Sequence, residues 1–576
     1  MTRDDVATAL EEIGTLLALQ GENDFKVRAY SNAARTVTQL PNDLKEMIAD
    51  GSLAETRGIG EALLEKITTL VTTGSLPYLE DLRKAVPPGL IEMLKLPGIG
   101  AKKVKLLHDA LGIDTVKQLK DACIANKVSV IKGMGEKTQS KILEGIAFLD
   151  TVGKRVRIDL AYPLGEALLE QIKKLPGVQR SALCGSLRRR RETSKDIDIL
   201  VSAKDAKPIM DAFVTLPEVL QVVGHGETKS SIVAALSIGG TKVVLNADLR
   251  VVQDDAFSFA LAYFTGSKEH NIRMRQIAIE KGLSLNEYAL AGKAGDVKCK
   301  SEEDIYTALG LDYVVPEMRE DTGEMEAAIK HTLPKLIEAS DIRGVFHNHT
   351  TASDGTASLE QMALAAKALG LEYFGVGDHS KSLTVANGLT QERVKAQWAE
   401  IDALNKKLKG ITILKGTECD ILDDGTMDFD DELLAGFDYV VASIHQNFHL
   451  SEAAQTARVC KALANPYVTM LGHATGRLLL RREGYRIDLE EVIRTAAKHK
   501  KMIEINAQPM RLDLDWTWVK RAKAAGVTIV INPDAHSPEE LALYTYGVDV
   551  ARRGWLTKED VFNTKSVKDV MKALKK

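Results

Sequence analysis

Two aspartates separated by a single residue, Asp196 and Asp198, carry the first sign of chemistry in the sequence. The apolar residues Ile197, Ile199, Leu200 and Val201 predict a strand, and residues two apart on a strand project to the same face. Two neighbouring carboxylates repel each other unless a cation lies between them, and their oxygens favour Mg²⁺ or Mn²⁺. The pair is therefore a candidate holder of divalent metal ions.

The segment before this pair supplies groups that suit a triphosphate. Gly185 and Ser186 form a Gly-Ser turn, and four arginines follow at positions 188–191. Free backbone N–H groups, a hydroxyl and guanidinium donors are the groups that bind phosphate oxygens. Taken alone, an Asp-x-Asp pair or a run of arginines is more often a solvated strand end or turn. The complete string makes that alternative a poor one.

A second set of candidate ligands lies in the C-terminal half of the chain. Seven short apolar runs between Val345 and Ile531 alternate with helical patterns, which predicts a parallel sheet, and seven such units predict a closed barrel. Nine nitrogen and oxygen ligands follow these runs: His347, His349, Asp354, His379, Glu418, His445, His473, Asp534 and His536. The carboxyl ends of barrel strands share one rim, so we expect two or three ions there, with Zn²⁺, Mn²⁺ or Fe²⁺ as candidates. His449 and His499 follow no such run and are interpreted as ordinary core or surface residues.

The elements that precede these sets are helical. Helical spacing of apolar residues covers residues 1 to about 90, and three glycine turns each precede a helix-like pattern. The glycines of these turns are Gly58 and Gly60, Gly98 and Gly100, and Gly133 and Gly135. Between Lys95 and Arg157 there are 13 Lys and Arg residues against 6 Asp and Glu. Tight turns that present helix N-termini in a basic segment predict contact with a DNA backbone, which positions the strand without reading its sequence.

Length and composition limit the possible classes of protein. At 576 residues the chain predicts three or four domains, and its net charge of −4 does not mark the whole chain as a polyanion binder. The five cysteines are scattered without a Cys-x-x-Cys pair, which disfavours a disulfide framework or a cysteine zinc site. With neither a signal-like start nor an apolar run of membrane length, we expect a cytoplasmic protein with no membrane association.

Together these motifs resemble the bacterial family X DNA polymerases that carry a PHP (polymerase and histidinol phosphatase) domain, and the resemblance covers essentially the whole chain. It is carried by the Gly185-Ser186 to Asp198 string and by four short motifs that contain candidate ligands, at 347–349, 377–380, 416–418 and 534–536. The implied fold is multidomain: an N-terminal all-α helix-hairpin-helix region, an α+β nucleotidyltransferase core with the palm and thumb of polymerase beta, and a C-terminal (β/α)7 PHP barrel. The expected boundaries are 1–90 for a lyase-like domain with the first hairpin, 91–150 for the other two hairpins, 151–316 for the core, 317–341 for a linker and 342–576 for the PHP domain.

The resemblance also assigns roles to residues around the aspartate pair. It implies that Asp248 is the third metal ligand. The implied nucleotide and DNA contacts are Gly185, Ser186, Arg189 and Ser194 at the triphosphate, Tyr263, Phe264 and Gly266 at the sugar, Asn271 at the base and Arg275 at the template. Lys195 replaces a family glycine, and Lys268 stands where some members have an acidic residue. Both add positive charge, so we expect tighter nucleotide binding.

A further activity is implied for the first region. Lys66 matches the family lysine that forms a Schiff base with a deoxyribose 5′-phosphate end, and Lys26 and Tyr30 match supporting positions. A second lysine of that helix is Ala62 here, so a plain phosphate-binding or surface role for Lys66 stays open.

The implied function is short-gap filling in DNA repair by two-metal nucleotidyl transfer, joined to a metal-dependent phosphoesterase. Exonuclease (3′–5′), abasic-site endonuclease and 3′-phosphatase chemistry all stay open for the latter. The implied partners are gapped or primer-template DNA and dNTPs, and a monomer is expected. One alternative is a small-molecule phosphatase fused to an inactive DNA-binding relic, and another is a non-catalytic DNA-binding scaffold. The intact aspartates and barrel ligands argue against both.

Overall fold

The computed structural model describes residues 3–40, 44–56, 58–94, 96, 99–149, 155–293 and 295–575. These residues form two compact units that divide after residue 154, and each unit has hydrophobic cores of its own. Gly98 lies outside the described residues, so the second glycine turn is described only in part.

The N-terminal unit is helical because its apolar residues recur every three or four positions. Val6, Leu10, Ile13 and Leu17 are all buried and form one stripe of the first helix. Asn23 begins the second helix, where its side chain accepts a hydrogen bond from the Phe25 N–H. The helices are Arg3–Gln20, Asp24–Gln39, Leu44–Ala49, Glu61–Thr73, Pro77–Ala85, Pro88–Met93, Ala101–Leu111, Val116–Ile124 and Glu136–Leu149, with a short 3-10 helix at Ser52–Glu55.

The second unit begins with a five-stranded sheet that carries the aspartates. Its strands lie in the order Arg180–Leu183, Asp196–Ser202, Thr241–Val252, Lys229–Ile238 and Val219–His225. Only the pair Asp196–Ser202 and Thr241–Val252 is parallel. The helices of this region are Ile158–Ile172, Gly185–Arg188 and Lys207–Phe213, and Val156–Arg157 pairs with Thr193–Ser194. Ile197, Ile199 and Val201 alternate into the core, so the aspartates between them face away from it.

A smaller α-β segment follows this sheet. Its helices are Phe257–Thr265, Lys268–Glu280, Glu302–Ala308 and Glu324–Ile329, with a 3-10 helix at Pro316–Met318. Its three antiparallel strands are Leu283–Leu285, Leu290–Gly292 and Gly295–Val297. Met318, Met325 and Ala328 pack in the core of this segment, although they belong to the stretch expected to be a linker.

The C-terminal part alternates parallel strands with helices. The strands are Gly344–Val345, Tyr373–Gly375, Thr412–Leu414, Gly416–Asp420, Tyr439–Ser443, Met470–Leu471, Met502–Asn506 and Ile529–Asn532. The helices are Leu359–Ala368, Gln391–Lys407, Asp431–Leu434, Glu452–Ala464, Leu489–His499, Trp516–Ala524, Tyr544–Arg553 and Val567–Ala573, with 3-10 helices at Ala339–Asp341, Thr384–Ala386, Glu539–Leu543, Lys558–Asp560 and Phe562–Thr564.

All seven apolar runs of the C-terminal half contain a strand, and these strands pair in chain order. Thr412–Leu414 covers the third run and belongs to a three-stranded sheet, while Gly416–Asp420 follows that run and belongs to a five-stranded sheet. Parallel bridges at His379–Glu418 and Asn348–Ala535 join these two sheets, so the last strand returns to the first. The polar residues that follow the strands consequently meet at one end of a ring. Among the described residues, no helix combines the length and apolarity needed to cross a membrane.

Two candidate metal centres and a candidate DNA interface

The three aspartates lie on two adjacent parallel strands. Asp198 is directly opposite Asp248 in the register, and Asp196 is opposite Asn246. We name Asp196, Asp198 and Asp248 the carboxylate centre. Gly185 approaches it so closely that a Cβ there would lie 2.2 Å from Asp198 Oδ2, and its φ is +59°. Both observations explain why a glycine begins the loop, because any side chain would collide with the carboxylate.

The charges of this centre repel each other. Burial, and then the neighbouring carboxylates of Asp196 and Asp248, raise the pKa of Asp198 from its ordinary value to about 7. Two cations oppose this rise: Lys229, whose Nζ lies 2.8 Å from Asp248 Oδ2, and Arg250. A divalent cation would relieve the remaining repulsion, and an all-oxygen donor set suits Mg²⁺ or Mn²⁺. The residues present therefore fit the ions expected from the sequence.

The loop from Gly185 to Ser194, here the glycine loop, brings its two serines together. Ser186 Oγ lies 2.6 Å from Ser194 Oγ, and Ser194 Oγ donates to the Asp196 carbonyl. The guanidinium of Arg189 is largely buried: its Nη1 donates to the Thr265 carbonyl and its Nε to Glu320 Oε1 at 3.2 Å. The assigned triphosphate residues are thus held in place by the protein itself. Their contact with nucleotide stays a prediction.

The expected nucleotide-binding segment is assembled beside this loop. The Tyr263 and Phe264 rings meet edge to face at 5.1 Å, and the Asn271 side chain donates to the Tyr263 carbonyl at 2.7 Å. Tyr263, Asn271 and Arg275 line one small cavity. A Cβ at Gly266 would lie 3.0 Å from Arg189 Nη1, which places this glycine against the glycine loop.

Two added cations lie at exposed positions near these groups. Lys195 directly precedes Asp196, and Lys268 is the first residue of helix Lys268–Glu280. Both side chains are open to solvent and therefore available to an anionic ligand.

The nine C-terminal candidates converge on one buried cluster, which we name the histidine centre. Glu418 Oε1 lies 2.8 Å from His473 Nε2, 3.2 Å from His347 Nε2 and 3.3 Å from His445 Nε2, while its Oε2 lies 2.9 Å from His379 Nδ1. The other two carboxylates occupy the remaining sides. Asp354 lies 3.5–3.6 Å from nitrogens of His349, His379 and His536, and Asp534 Oδ1 lies 3.1 Å from His349 Nε2. Every predicted member is therefore within reach of the others.

The chemistry of this cluster fits metal ions. Four buried nitrogens make no hydrogen bond of acceptable geometry with the described residues: His347 Nε2 and His379 Nδ1, which face oxygens of Glu418 without donating to them, and His349 Nδ1 and His473 Nδ1. Burial disfavours the charged form of Glu418, yet the histidines His347, His445 and His379 hold its pKa well below the ordinary value. Unsatisfied imidazole nitrogens around ionised carboxylates, with no sulfur, are typical of Zn²⁺, Mn²⁺ or Fe²⁺ sites. Three overlapping ligand groups can be drawn from eight of these nine residues, all except His473, which agrees with more than one ion.

Several supporting residues were not identified from the sequence. Glu504 Oε2 lies 2.8 Å from His347 Nδ1, and Asp420 Oδ1 lies 2.5 Å from His445 Nδ1. Such carboxylates fix the orientation of a ligating imidazole and raise its basicity. Glu504 had a visible signal, since it is a lone acidic residue within the apolar strand Met502–Asn506. Arg511 had none, although its Nε lies 3.6 Å from Asp534 Oδ2.

An arginine-rich loop adjoins the histidine centre three residues after the ligand His473. We name residues 476–486 the arginine loop; it contains Arg477, Arg481, Arg482 and Arg486 and one acidic residue, Glu483, while Arg477 Nη1 lies 3.8 Å from Asp515 Oδ2. Arg477 donates to the carbonyls of Arg511 and Leu512, which ties the loop to the segment that carries Arg511. Arg482 stacks on the Phe448 ring, with Cζ 4.5 Å from its centroid. The Phe448 ring also stacks on Tyr485, with centroids 5.7 Å apart, so this edge of the centre offers mainly cations to a polyanion.

The N-terminal unit repeats one backbone geometry at the three glycine turns. The N–H of a buried apolar residue closes each turn by donating to the carbonyl three residues back, as at Ile59, Ile99 and Met134. A Cβ built at Gly60, Gly100 or Gly135 would meet nothing within 4 Å, so the protein's own packing does not require a glycine at these three positions. The open space instead leaves the N-terminal backbone of each following helix accessible to a phosphate.

Lys66 lies on helix Glu61–Thr73, where its Nζ donates to the Ala62 carbonyl at 3.2 Å. The same Nζ lies 5.1 Å from the centroid of the Tyr78 ring. Tyr30 is buried nearby, and burial together with Tyr78 raises its pKa to about 12. Lys26 pairs with Glu22 at 2.9 Å.

Four segments of the chain match models of known families. Residues 1–76 match the helix-hairpin-helix domain, 90–147 the SAM-like helix-hairpin-helix tandem, 260–320 the DNA polymerase beta thumb and 346–508 the PHP domain. A protein of Bacillus subtilis (strain 168) named DNA polymerase/3′–5′ exonuclease PolX is 39% identical over 578 residues, and the similarity covers 100% of both chains. A probable phosphatase of Thermoanaerobacter sp. (strain X514) is 28% identical over 243 residues, covering 40% of this chain and 94% of the relative. A probable phosphatase of Acetivibrio thermocellus is 30% identical over 207 residues, covering 34% and 81%.

Proposed function

The chain belongs to the family X DNA polymerases that carry a PHP domain, and we propose that its carboxylate centre polymerises DNA while its histidine centre removes nucleotides from a 3′ end. The observation that carries the first half is the parallel register of Asp198 with Asp248 beneath the glycine loop. Three carboxylates on two adjacent parallel strands support the two-ion chemistry of nucleotidyl transfer.

For polymerisation, Asp196, Asp198 and Asp248 would hold Mg²⁺ or Mn²⁺, which supplies activation of the primer hydroxyl and charge neutralisation of the leaving pyrophosphate. The glycine loop offers its backbone N–H groups, Ser186 and Arg189 to the triphosphate. Tyr263 and Phe264 line the sugar, and Asn271 reaches the base. Lys195 and Lys268 add positive charge at exposed positions, so they strengthen nucleotide binding through Coulomb attraction.

For hydrolysis, the histidine centre would hold two or three Zn²⁺, Mn²⁺ or Fe²⁺ ions, which supply a nucleophilic water at neutral pH and stabilise the leaving oxygen. Arg511 would orient the phosphate, because it is the arginine beside the ligand Asp534. The arginine loop would bind the backbone of the strand that leads to the centre. This edge favours a DNA strand over a small phosphate ester, which needs no such surface.

DNA binding by the N-terminal unit follows from the two helix-hairpin-helix matches. The open glycines at the three turns support backbone contacts without sequence preference. We propose gapped or primer-template DNA as the substrate and a monomer as the working form. We also propose the domain boundaries that the sequence predicts.

The test is incubation with a labelled DNA duplex that has a one-nucleotide gap. With Mg²⁺ or Mn²⁺ and the matching dNTP, we expect extension of the primer by one nucleotide. Without dNTP, we expect shortening of the same primer from its 3′ end when Zn²⁺, Mn²⁺ or Fe²⁺ is present. Release of inorganic phosphate from a small ester with no action on either DNA end would instead support the phosphatase alternative.

A second activity, removal of a 5′-deoxyribose phosphate, is favoured by the placement of Lys66 beside Tyr78 and near the buried Tyr30. Borohydride trapping on incised abasic DNA tests it, with Lys66→Ala as the decisive variant and Lys84→Ala as a control in the next helix. A covalent adduct lost only in Lys66→Ala supports the lyase. An adduct that still forms in Lys66→Ala would contradict a Schiff base at Lys66.

A further inference from the structure

One arginine of the PHP domain reaches into the glycine loop of the polymerase. Arg553, the last residue of helix Tyr544–Arg553, is fully buried, and its Nη1 donates to the Arg189 carbonyl at 2.8 Å and to Glu320 Oε1 at 3.2 Å. The same Glu320 oxygen accepts from Arg189 Nε at 3.2 Å. Arg553, Glu320 and Arg189 therefore form a closed triangle of contacts that links three parts of the second unit.

Stability alone gives a poor account of Arg553. Its Nε and Nη2 are buried and have no hydrogen-bond partner among the described residues. The guanidinium lies against the Trp516 ring, with Cζ 5.0 Å from the centroid, which recovers only part of the cost of burying a cation. Replacing a whole buried ion pair by apolar residues is often neutral, so a buried arginine with two unsatisfied donors is weak evidence for a stabilising role. Its role is better sought in what it holds in place.

We propose that Arg553 is a positioning residue for nucleotide insertion: it fixes the main chain and guanidinium of Arg189 so that this residue is preset for the triphosphate. The inference rests on the proposed polymerase function. Arg553 holds the Arg189 carbonyl directly, and it shares Glu320 with the Arg189 side chain. The Thr265 carbonyl takes the other edge of the same guanidinium. A planar donor group that is already fixed loses less entropy when it binds phosphate.

The next residue along the helix gives a matched control. Arg552 also links the PHP domain to the thumb, because its Nε donates to Glu317 Oε1 at 2.8 Å and its Nη1 to the Ile337 carbonyl at 2.9 Å. These bonds go to neither the glycine loop nor Glu320. Loosening the domain contact through Arg552 should therefore leave Arg189 undisturbed.

The experiment compares full-length Arg553→Met, Arg553→Lys, Glu320→Gln and Arg552→Gln with the unaltered chain. The readouts are KM and kcat for single-nucleotide gap filling, the 3′–5′ exonuclease rate and the thermal unfolding temperature. Arg553→Met should raise the dNTP KM about tenfold, as expected when one charge-assisted positioning contact is lost. It should leave the exonuclease rate unchanged, and the unfolding temperature should fall because the Glu320 carboxylate loses one of its buried partners. Arg553→Lys should give an intermediate KM, and Arg552→Gln should leave KM unchanged.

Three results would overturn the proposal: an unchanged KM in Arg553→Met, an equal rise in Arg552→Gln, or a parallel loss of exonuclease activity. Should Arg553→Met fail to fold, Glu320→Gln decides, because it removes the negative charge that Arg189 and Arg553 share and must raise KM in the same way. If the unaltered chain extends no primer, the polymerase proposal fails, and the positioning role of Arg553 fails with it. That result differs from the three above, in which the unaltered chain is active.

Discussion

The two centres of the second unit achieve metal-ligand geometry by different routes. The carboxylate centre takes three residues of one type from two adjacent strands, and Asp196 among them is exposed. The histidine centre takes nine residues from six strand ends and buries most of them, with supporting carboxylates such as Glu504 behind the imidazoles. The register between two adjacent strands brings the residues of the carboxylate centre together, whereas the ring of C-terminal strands brings those of the histidine centre together.

This difference predicts different sensitivities. The carboxylate centre needs few residues, but the negative charge of its carboxylates is not fully neutralised by the protein, as the raised pKa of Asp198 indicates. In the histidine centre the histidines neutralise the carboxylates, as the lowered pKa of Glu418 indicates. We therefore expect the carboxylate centre to bind its ions more weakly than the histidine centre does.

The largest effect should come from removing one ligand of each centre in turn. Asp198→Ala should reduce primer extension by about 10³-fold or more, because the charge that holds the ions is lost, and it should spare the exonuclease. His349→Ala should do the reverse. Both activities are measured on the same gapped DNA, with circular dichroism to verify folding. Loss of both activities in one folded variant would contradict two independent centres.

The next effect is a pH dependence specific to the carboxylate centre. Because the folded pKa of Asp198 is raised to about 7, the folded state holds this proton more tightly than the unfolded state, and stability falls as pH rises towards 7. Asp198→Asn removes this penalty. In chelator at about pH 8 it should therefore stabilise the protein by about 1–3 kcal/mol, with no gain below about pH 4.

Urea unfolding at both pH values measures this difference. Asp196→Asn is the matched control, and since Asp196 is exposed, its gain should be smaller. Equal stability of Asp198→Asn and the unaltered chain at the higher pH would show that neither burial nor repulsion by Asp196 and Asp248 destabilises the ionised form of Asp198.

The contrast between the centres also explains how much the sequence could predict. The clustering of all nine residues of the histidine centre was predictable, because each follows an apolar run and parallel strands share an end; that they bind metal stays a prediction. The pairing of Asp196 and Asp198 on one face followed from strand alternation. Asp248 needed the family resemblance, since nothing local fixes which distant strand lies beside Asp198.

The contacts that were missed are all set by tertiary register. Lys229 reaches Asp248 only because strand Lys229–Ile238 pairs antiparallel with Thr241–Val252. Arg189 appeared in the sequence as one of four equivalent arginines. Its partners Glu320 and Arg553 lie 131 and 364 positions away, so no local pattern could identify them. Glu504 could have been found as a charge in an otherwise apolar strand.

A smaller effect should separate capture of the strand from chemistry at the histidine centre. Replacing Arg481 and Arg482 by Gln should lower the exonuclease rate on single-stranded DNA about tenfold at moderate salt, because phosphate contacts are lost. Hydrolysis of a small phosphodiester such as a nitrophenyl nucleotide should not change. The salt dependence of DNA cleavage should also become shallower. An equal loss on both substrates would mean that the arginine loop acts on the centre rather than on DNA.

The smallest effect concerns the N-terminal unit, which is expected to contact DNA and contains no residue of either centre. Gly100 has an extended backbone (φ −96°, ψ 170°) and open space around its Cα, so Gly100→Ala should fold with a stability change within about 1 kcal/mol. The added methyl group should still hinder approach of a phosphate and weaken binding of gapped DNA a few-fold. Gly112→Asn at the other end of the same helix is the control, because asparagine tolerates its positive φ. Equal DNA affinities of the two variants, measured by fluorescence anisotropy, would show that the hairpin glycines serve the fold and not the phosphate backbone.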